Sequence, residues 1–343
     1  TEVRVARAIV RNSMSSDTPE ATNWHDELSR AIRDPRTLVE RLGLDRSLLG
    51  AARESAELFG VMVPESFLAR MRHGDPNDPL LKQVLPIADE QQPATGTTDA
   101  VGDLDARRAP GLIHKYDGRA LLIATGSCAV HCRYCFRRHY PYGDEPRRLD
   151  EWDDAISELA ADSSIDEVIL SGGDPLMLTD TRLDQLFERL ESIPHLARLR
   201  IHTRLPVDLP SRVTETLCLR LREGRLTPIV VVHANHPSEV VDDCADALER
   251  LVASGLTVLN QAVLLAGIND DADTLAELCT RLANLGVVPY YLHQLDRVEG
   301  TVHFEVPESR GRQLARELES RLPGYAVPRY VREVPGATGK VRL

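Results

Sequence analysis

Lysine is scarce in this chain of 343 residues, where Lys82, Lys115 and Lys340 are the only three. Arginine therefore supplies almost all of the positive charge, and the acidic residues still leave a net charge of −12. A reaction that needs a primary amine side chain has only these three candidates. The acidic balance argues against a broad nucleic-acid-binding surface, since such surfaces need clustered basic side chains.

Long apolar runs are also missing, and none approaches the roughly 20 residues that a membrane-spanning helix needs. Residues 1–7 do not have the pattern of a signal peptide. Six cysteines in a chain of this length do not suggest a disulfide scaffold, and Cys218, Cys244 and Cys279 fall in helical patterns as small apolar side chains. We expect a protein of the reducing cytoplasm with no membrane partner and no nucleic-acid partner.

The other three cysteines, Cys128, Cys132 and Cys135, have the spacing Cys-x3-Cys-x2-Cys. Three thiolates can hold three irons of a 4Fe–4S cluster, whose complete set of ligands is four, so that one iron stays open for another molecule. The spacing resembles the signature of radical S-adenosylmethionine (SAM) enzymes, in which the open iron binds the amino and carboxylate groups of SAM. A structural zinc site that adds His131 or His139 is the alternative.

The pattern of apolar residues changes along the chain. Residues 1–110 show helical and irregular patterns, whereas β-branched runs alternate with amphipathic helices from about residue 119. Six such units are too few for a closed eight-stranded barrel, so we predict an α/β fold with an open, partial (β/α)6 barrel and active-site groups at the carboxyl ends of its strands. A flat, doubly wound sheet is the alternative. The predicted strands are 120–125, 167–171, 199–203, 228–233, 258–264 and 287–293, with helices near 150–161, 181–192, 211–222, 239–253 and 273–285.

These patterns divide the chain into a helical N-terminal region at 1–110, the partial barrel at 111–300 and a C-terminal segment at 301–343. The last segment has a helix near 308–321, a short strand near 327–332 and a short, glycine-bearing tail that we expect to close the site. The cysteine loop follows the first barrel strand, and the sequence SGGDP at 171–175 follows the second. Its glycines let a ligand approach the backbone closely, although an ordinary turn also favours them.

Several further motifs occur in an order that resembles the lysine 2,3-aminomutase family of radical SAM enzymes. The resemblance covers about three quarters of the chain, from residue 75 onwards, and implies a radical SAM barrel. Such enzymes convert L-α-lysine to β-lysine with SAM, a 4Fe–4S cluster and pyridoxal phosphate (PLP). The matching segments are DPNDPL at 75–80, HKYDGR at 114–119, the loop 128–142, SGGDP at 171–175, IHTRLP at 201–206, HANHP at 233–237, NQAVLL at 260–265, PYY at 289–291 and PGATGK at 335–340.

Within that family, the loop sequence CRYCFRRHYPY at 132–142 is most similar to the branch that supplies (R)-β-lysine for modification of elongation factor P. The position of Lys340, three residues from the end of the given sequence, agrees with that branch. The implied partners are L-lysine, an electron donor such as flavodoxin or ferredoxin, elongation factor P through its modification, and a second copy of the chain in a homo-oligomer. A free-lysine aminomutase that makes β-lysine as a metabolite and a non-catalytic iron–sulfur sensor or zinc module are the alternatives.

The resemblance also implies roles for individual residues. Arg137 corresponds to the residue that binds the substrate carboxylate, and Asp296 and Glu333 to the two carboxylates that hold its ε-ammonium. Glu333 departs from the family pattern because its side chain is one methylene longer. A solvated surface charge is the plainer interpretation of either acid and of Lys340, as is a core aromatic for Tyr116 and a salt bridge for Arg137 and Arg138. The remaining assignments are Cys128, Cys132 and Cys135 to the cluster, Gly172, Gly173, Asp174 and Gln261 to SAM, Lys340 to the covalent bond with PLP, and Lys115, Tyr116, Arg119 and His233 to the PLP pocket.

We predict that replacing Cys128, Cys132 or Cys135 singly by alanine abolishes both the 4Fe–4S cluster and the activity, because no spare cysteine lies nearby to substitute. The ultraviolet–visible spectrum of the reconstituted variants and their turnover check this. A variant that kept a full-strength cluster and normal turnover would show that the ligand assignment is wrong.

Overall fold

A ten-stranded sheet forms the centre of the protein, in a computed structural model that describes residues 23–91 and 96–343. The parts of the predicted N-terminal region at 1–22 and 92–95 lie outside the described residues. The strands are β1 (Arg107–Ala109), β2 (Leu112–Tyr116), β3 (Arg119–Thr125), β4 (Glu167–Gly172), β5 (Arg198–Thr203), β6 (Thr227–Val232), β7 (Thr257–Leu264), β8 (Val288–Gln294), β9 (Arg329–Arg332) and β10 (Val341–Arg342).

Twelve α-helices accompany these strands in the described part of the chain. Five short helices precede the sheet, and the longer ones lie between the strands from β3 to β9. No described helix is both long and apolar enough to cross a bilayer. The helices are α1 (Trp24–Ser29), α2 (Pro35–Arg41), α3 (Leu49–Leu58), α4 (Glu65–Ala69), α5 (Pro79–Lys82), α6 (Asp153–Ala161), α7 (Asp180–Glu191), α8 (Leu205–Asp208), α9 (Glu215–Glu223), α10 (Asp242–Ala253), α11 (Ala272–Asn284) and α12 (Glu308–Arg321).

The strands lie side by side in their order along the chain. Strands β3 to β9 pair in parallel, whereas β1 with β2, β2 with β3 and β9 with β10 pair antiparallel. Because crossovers between parallel strands are right-handed, an unreversed order places the crossover helices on the same face and lets the sheet curl. A doubly wound sheet would reverse its order part-way. The partial barrel is therefore confirmed and the flat, doubly wound alternative is wrong.

The six predicted barrel strands form as β3 to β8, and the structure adds a seventh parallel strand, β9, where the sequence predicted only a short isolated one. Strands β1, β2 and β10 were not predicted. The reason is clearest for β1, which has three residues, two of them arginine, and so shows no alternating apolar pattern. It also lies inside the region predicted as helical. The boundaries at residues 110 and 300 stay predictions.

Alternation along the strands separates the apolar core from the barrel interior. In β4, Val168 and Leu170 are fully buried, whereas Glu167, Ile169 and Ser171 line a cavity inside the curl. Since successive side chains of a strand point to opposite faces, the buried set packs beneath the helices. Helices α7, α10 and α11 bury apolar residues three or four positions apart, as a helix packed on a sheet does. The apolar core thus lies between the sheet and the helices. The interior of the barrel is left for polar side chains.

We predict that Gly311→Val destabilises the protein by about 1–3 kcal/mol, the usual range for overpacking a close contact. Gly311 in α12 is buried, and a Cβ placed there would overlap the phenol oxygen of Tyr330 in β9. The matched control is Gly50→Val in α3, where a Cβ meets no atom within 4 Å. Thermal unfolding followed by circular dichroism checks this, and equal melting temperatures for the two variants would contradict it.

Candidate active site

A cavity of about 640 Å³ fills the barrel interior. All fifteen residues to which the resemblance assigned a role line it, although they come from segments as distant as the β2 strand and the C-terminal tail. Its volume lies in the range of small-molecule sites. The structure therefore brings the predicted residues together, while the role of each one stays a prediction.

Arginines anchor the cysteine loop that follows β3. The Arg133 guanidinium is fully buried and donates from Nε to Glu90 at 2.8 Å and from Nη1 to the Phe59 carbonyl at 2.7 Å. Arg138 donates to the same Glu90 carboxylate at 2.9 Å, which is the salt bridge expected for it. These contacts bind the loop to the N-terminal segments and hold the three cysteines on the cavity wall.

The three cysteine thiols face the cavity as free side chains. Burial raises the pKa of Cys132 to about 12, and burial also raises the pKa values of Cys128 and Cys135. Thiolates so disfavoured suit a site in which metal ions compensate their charge. His131 and His139 hydrogen-bond to the Gly60 and Glu299 carbonyls, at 3.0 and 3.1 Å, and neither lines the cavity. The arrangement therefore does not favour the zinc site considered from the sequence.

The glycines of the 171–175 loop permit close contact with the cysteine loop. A Cβ on Gly172 would overlap the Thr125 carbonyl oxygen, and one on Gly173 the Ser127 carbonyl oxygen. The Gly173 amide donates to Thr125 O at 2.7 Å, and Tyr142 donates its hydroxyl to the Gly172 carbonyl at 2.7 Å. Gly172 also has a φ of 127°, a conformation that L side chains rarely adopt. These glycines thus join two loops besides facing the cavity, which the sequence did not reveal.

The side chain of Asp174 is engaged by the protein itself. Its carboxylate accepts from the Leu176 and Arg204 amides, at 3.0 and 2.6 Å, and from the Thr203 hydroxyl at 2.8 Å. Burial raises the pKa of Asp174 to about 7 even though these hydrogen bonds lower it. The Asp174 carboxylate therefore orients the 171–175 loop. The backbone of this loop, rather than this carboxylate, is available to a ligand.

Asp103 joins the two cations Lys115 and Arg137. Its carboxylate accepts from Lys115 Nζ at 2.6 Å and from Arg137 Nε at 2.7 Å, and Arg137 Nη1 donates to Ser171 Oγ at 2.8 Å. Burial works to raise the pKa of Asp103, but the two cations outweigh it and the pKa is lowered. Sequence reasoning missed Asp103, because nothing distinguishes it from the other acids of a turn-rich segment. Among the described residues Arg137 Nη2 has no hydrogen-bond partner, so it can bind a ligand.

Glu333 connects Lys340 to Tyr116. The Lys340 amine donates to Glu333 Oε2 at 2.8 Å, and the Tyr116 hydroxyl donates to Oε1. Lys115 Nζ lies 3.9 Å from the same carboxylate. Two of the three lysines therefore lie in the cavity, whereas Lys82 donates to the Gly267 carbonyl at 3.3 Å outside it.

Asp296 is the contrasting carboxylate, since its side chain has no hydrogen-bond partner within residues 23–91 and 96–343. Burial raises the pKa of Asp296 to about 7, against the opposing influence of Lys340. An unpaired acid at a cavity wall is a site for a cationic ligand, because a second charge can repay its desolvation.

Three histidines, His202, His233 and His293, also line the cavity. His202 Nδ1 and His233 Nε2 are 3.2 Å apart, and burial lowers the pKa of His233 to about 3. Burial also lowers the pKa values of His202 and His293. In the described structure His293 Nε2 and Gln261 Oε1 are buried without a partner. The sequence drew attention to His233 and Gln261 but missed His202 and His293, whose inward orientation follows only from strand register.

Comparison with known proteins identifies the family. The model of the radical SAM superfamily matches residues 122–279. An L-lysine 2,3-aminomutase of Escherichia coli (strain K12) is 45% identical over 329 residues, which cover 95% of this chain and 96% of that protein. This chain belongs to the lysine 2,3-aminomutase family. L-lysine 2,3-aminomutases of Haemophilus influenzae and Clostridium subterminale are 44% and 31% identical, and the matches cover 94% and 96% of this chain and 95% and 80% of those proteins.

As a lysine 2,3-aminomutase family member, the chain is an isomerase that uses a 4Fe–4S cluster, SAM and PLP. The cavity suits these groups. Three thiols and the backbone of Gly172 and Gly173 line it, and the buried, unpartnered Gln261 Oε1 is available to a polar ligand. The Lys340 amine can bond to the PLP aldehyde carbon, and the cation of Arg119, which stacks on the Tyr116 ring at 4.5 Å, lies on the same cavity wall.

We predict that Asp296→Asn raises the free energy of unfolding of the ligand-free protein. The difference from wild type should grow by about 1–2 kcal/mol between pH 5 and pH 8. The folded carboxyl keeps its proton up to a pKa of about 7, whereas the unfolded chain releases it near pH 4. Between these values the unfolded state binds fewer protons, so the wild-type free energy of unfolding falls as the pH rises.

Thermal unfolding at several pH values, followed by circular dichroism, measures this difference. The control is Asp154→Asn, at an exposed position of α6 outside the cavity. An advantage of Asp296→Asn that stayed constant or shrank with rising pH would contradict the raised pKa.

Proposed function

We propose that this enzyme converts L-α-lysine to β-lysine by moving the amino group from C2 to C3. The observation that carries the proposal is that one cavity presents an amine, an available guanidinium nitrogen and an unpaired carboxylate beside three thiols. These are the groups that PLP, a carboxylate, an ε-ammonium and an iron–sulfur cluster require. The names of the relatives, L-lysine 2,3-aminomutase, support the same substrate.

In this proposal Arg137 and Asp296 bind the two ends of the substrate and so fix its orientation in the cavity. Arg137 is held by Asp103 and Ser171, so its orientation is fixed before the substrate arrives, and its Nη2 hydrogen-bonds to the substrate carboxylate. Asp296 receives the ε-ammonium, whose positive charge lowers the raised pKa of Asp296 and favours the ionised carboxylate. Glu333, the second acid that the sequence assigned to the ε-ammonium, already binds Lys340.

The remaining residues exclude water and hold the reacting groups in place. The cofactors supply, when bound, one-electron cleavage of SAM and an electrophilic carbon that carries the migrating amine. The neutral His202, His233 and His293 add no charge to the interior. Because the cavity lies inside the sheet, a reactive substrate atom is screened from bulk solvent and kept close to its partner.

We further propose that the product serves the modification of elongation factor P and that an electron donor of the flavodoxin or ferredoxin type reduces the cluster. The loop sequence at 132–142 supports this branch over a free-lysine aminomutase. Deletion of the gene, followed by measurement of the mass of elongation factor P, distinguishes the two. The cytoplasmic location and the homo-oligomer stay predictions.

We predict that anaerobic incubation of the reconstituted enzyme with L-lysine, SAM and a reductant yields β-lysine, and that Lys340→Ala abolishes it. Reduction of the PLP-loaded protein with borohydride should leave the phosphopyridoxyl group on Lys340. Lys82→Ala is the control, because that amine lies outside the cavity, and should keep at least half of the wild-type rate. An adduct on Lys115 or Lys82 in the wild type, or no β-lysine at all, would overturn the proposal.

A further inference from the structure

The chain has a glutamate where the family pattern has the second acid for the ε-ammonium, and the structure gives that glutamate another partner. Glu333 Oε2 accepts from the Lys340 amine at 2.8 Å. The Glu333 side chain is 9% exposed and the Lys340 side chain is 25% exposed. The acid is therefore the more buried member of the pair. Its distance is that of a charge-assisted hydrogen bond.

The pair is built into the C-terminal hairpin. Strands β9 and β10 are antiparallel, and Arg332 lies directly opposite Val341. Glu333 follows Arg332 and Lys340 precedes Val341, so the acid and the amine are the next opposing residues at the neck of the hairpin. Opposing side chains of an antiparallel pair lie close enough to interact, and opposite charges there stabilise the pairing. The backbone therefore presents Lys340 to Glu333 before any ligand binds.

Each oxygen of the Glu333 carboxylate already accepts a hydrogen bond from the protein. The Tyr116 hydroxyl donates to Oε1, and Lys115 lies 3.9 Å away. Asp296 differs, since no described residue donates to its side chain. The two carboxylates therefore differ. Glu333 is paired with an amine of the protein, whereas Asp296 has no cationic partner among the described residues.

We propose that Glu333 is the resting partner of Lys340 whenever that amine is not bonded to PLP, and that Asp296 alone holds the substrate ε-ammonium. The inference rests on the proposed function, because Lys340 must release PLP to the substrate and take it back in each turnover. Glu333 is a positioning residue in this scheme, and it favours the substrate-bound form by stabilising the displaced amine.

Competition between amines tests the proposal without SAM, reductant or turnover. PLP-loaded protein is equilibrated with L-lysine or with L-norleucine, which has the same carbon chain but no ε-ammonium. Borohydride then fixes whichever amine is bonded to the cofactor, and mass spectrometry measures the fraction of phosphopyridoxyl groups on Lys340 and on the added amino acid. The protein variants are wild type, Glu333→Gln, Glu333→Asp and Asp296→Asn.

We expect Glu333→Gln to reduce the displacement of Lys340 by both amino acids by about tenfold, equivalent to about 1.4 kcal/mol. Asp296→Asn should reduce displacement by lysine and leave norleucine unchanged. Glu333→Asp keeps the charge but shortens the reach, so it should reduce displacement by both amino acids by a smaller factor. This variant keeps the test decisive if Glu333→Gln does not fold.

A loss confined to lysine in Glu333→Gln would show that Glu333 holds the ε-ammonium and would overturn the inference. No change for either amino acid would overturn it as well. Both results leave the proposed function standing, because they presuppose PLP on Lys340. Wild-type protein with no adduct on Lys340 would contradict both proposals, whereas normal exchange without β-lysine formation in the anaerobic assay would contradict only the proposed function.

Discussion

The structure depends on pairing the charges that are buried inside the barrel. Isolated charges are costly in such a place, and pairs are stable only when their remaining hydrogen bonds are satisfied. Asp103 meets this condition between Lys115 and Arg137, and Glu333 meets it between Lys340 and Tyr116. Among the described residues Arg137 Nη2 has no hydrogen-bond partner, so the contacts that fix this guanidinium also prepare it for a ligand.

A second buried network joins the cavity wall to the cysteine loop. Arg204 donates to Asp208 at 2.8 Å and to Glu239 at 2.8 Å, and it also contacts the Tyr134 hydroxyl inside the cysteine loop. The Asn235 amide donates to the same hydroxyl at 2.7 Å. Residues at the carboxyl ends of β5 and β6 are thereby tied to the loop that carries the cysteines. The position of this loop is set by a polar network as well as by packing, and removal of one member would leave the others unsatisfied.

Sequence reasoning found the parts of this site that depend on spacing. The cysteines and the 171–175 loop follow from short motifs, and the rule that sites lie at the carboxyl ends of barrel strands brings them together. Lys340 follows from the resemblance to the family. Partners that depend on register could not be found in this way. Asp103 comes from a turn-rich segment, His293 is recognisable as an interior residue only once β8 is aligned with β7, and the contact of Glu333 with Lys340 requires the β9–β10 hairpin. A pattern along one strand does not show which residue of the next strand lies opposite.

The structure shows which roles are filled by arginine and which by lysine in this lysine-poor chain. Buried cations such as Arg133, Arg204 and Arg212 are arginines, which stay charged and use a planar fork to satisfy several acceptors at once. A guanidinium also does not replace an amine in bonding to an aldehyde, so these residues cannot compete for PLP. In the cavity the two amines have different neighbours. Lys115 binds Asp103 and the Val101 carbonyl, at 2.6 and 2.7 Å, whereas Lys340 stands on a hairpin tail with one carboxylate partner. Of the two cavity amines, Lys340 thus has fewer partners than Lys115, which suits the covalent bond with PLP that we propose for it.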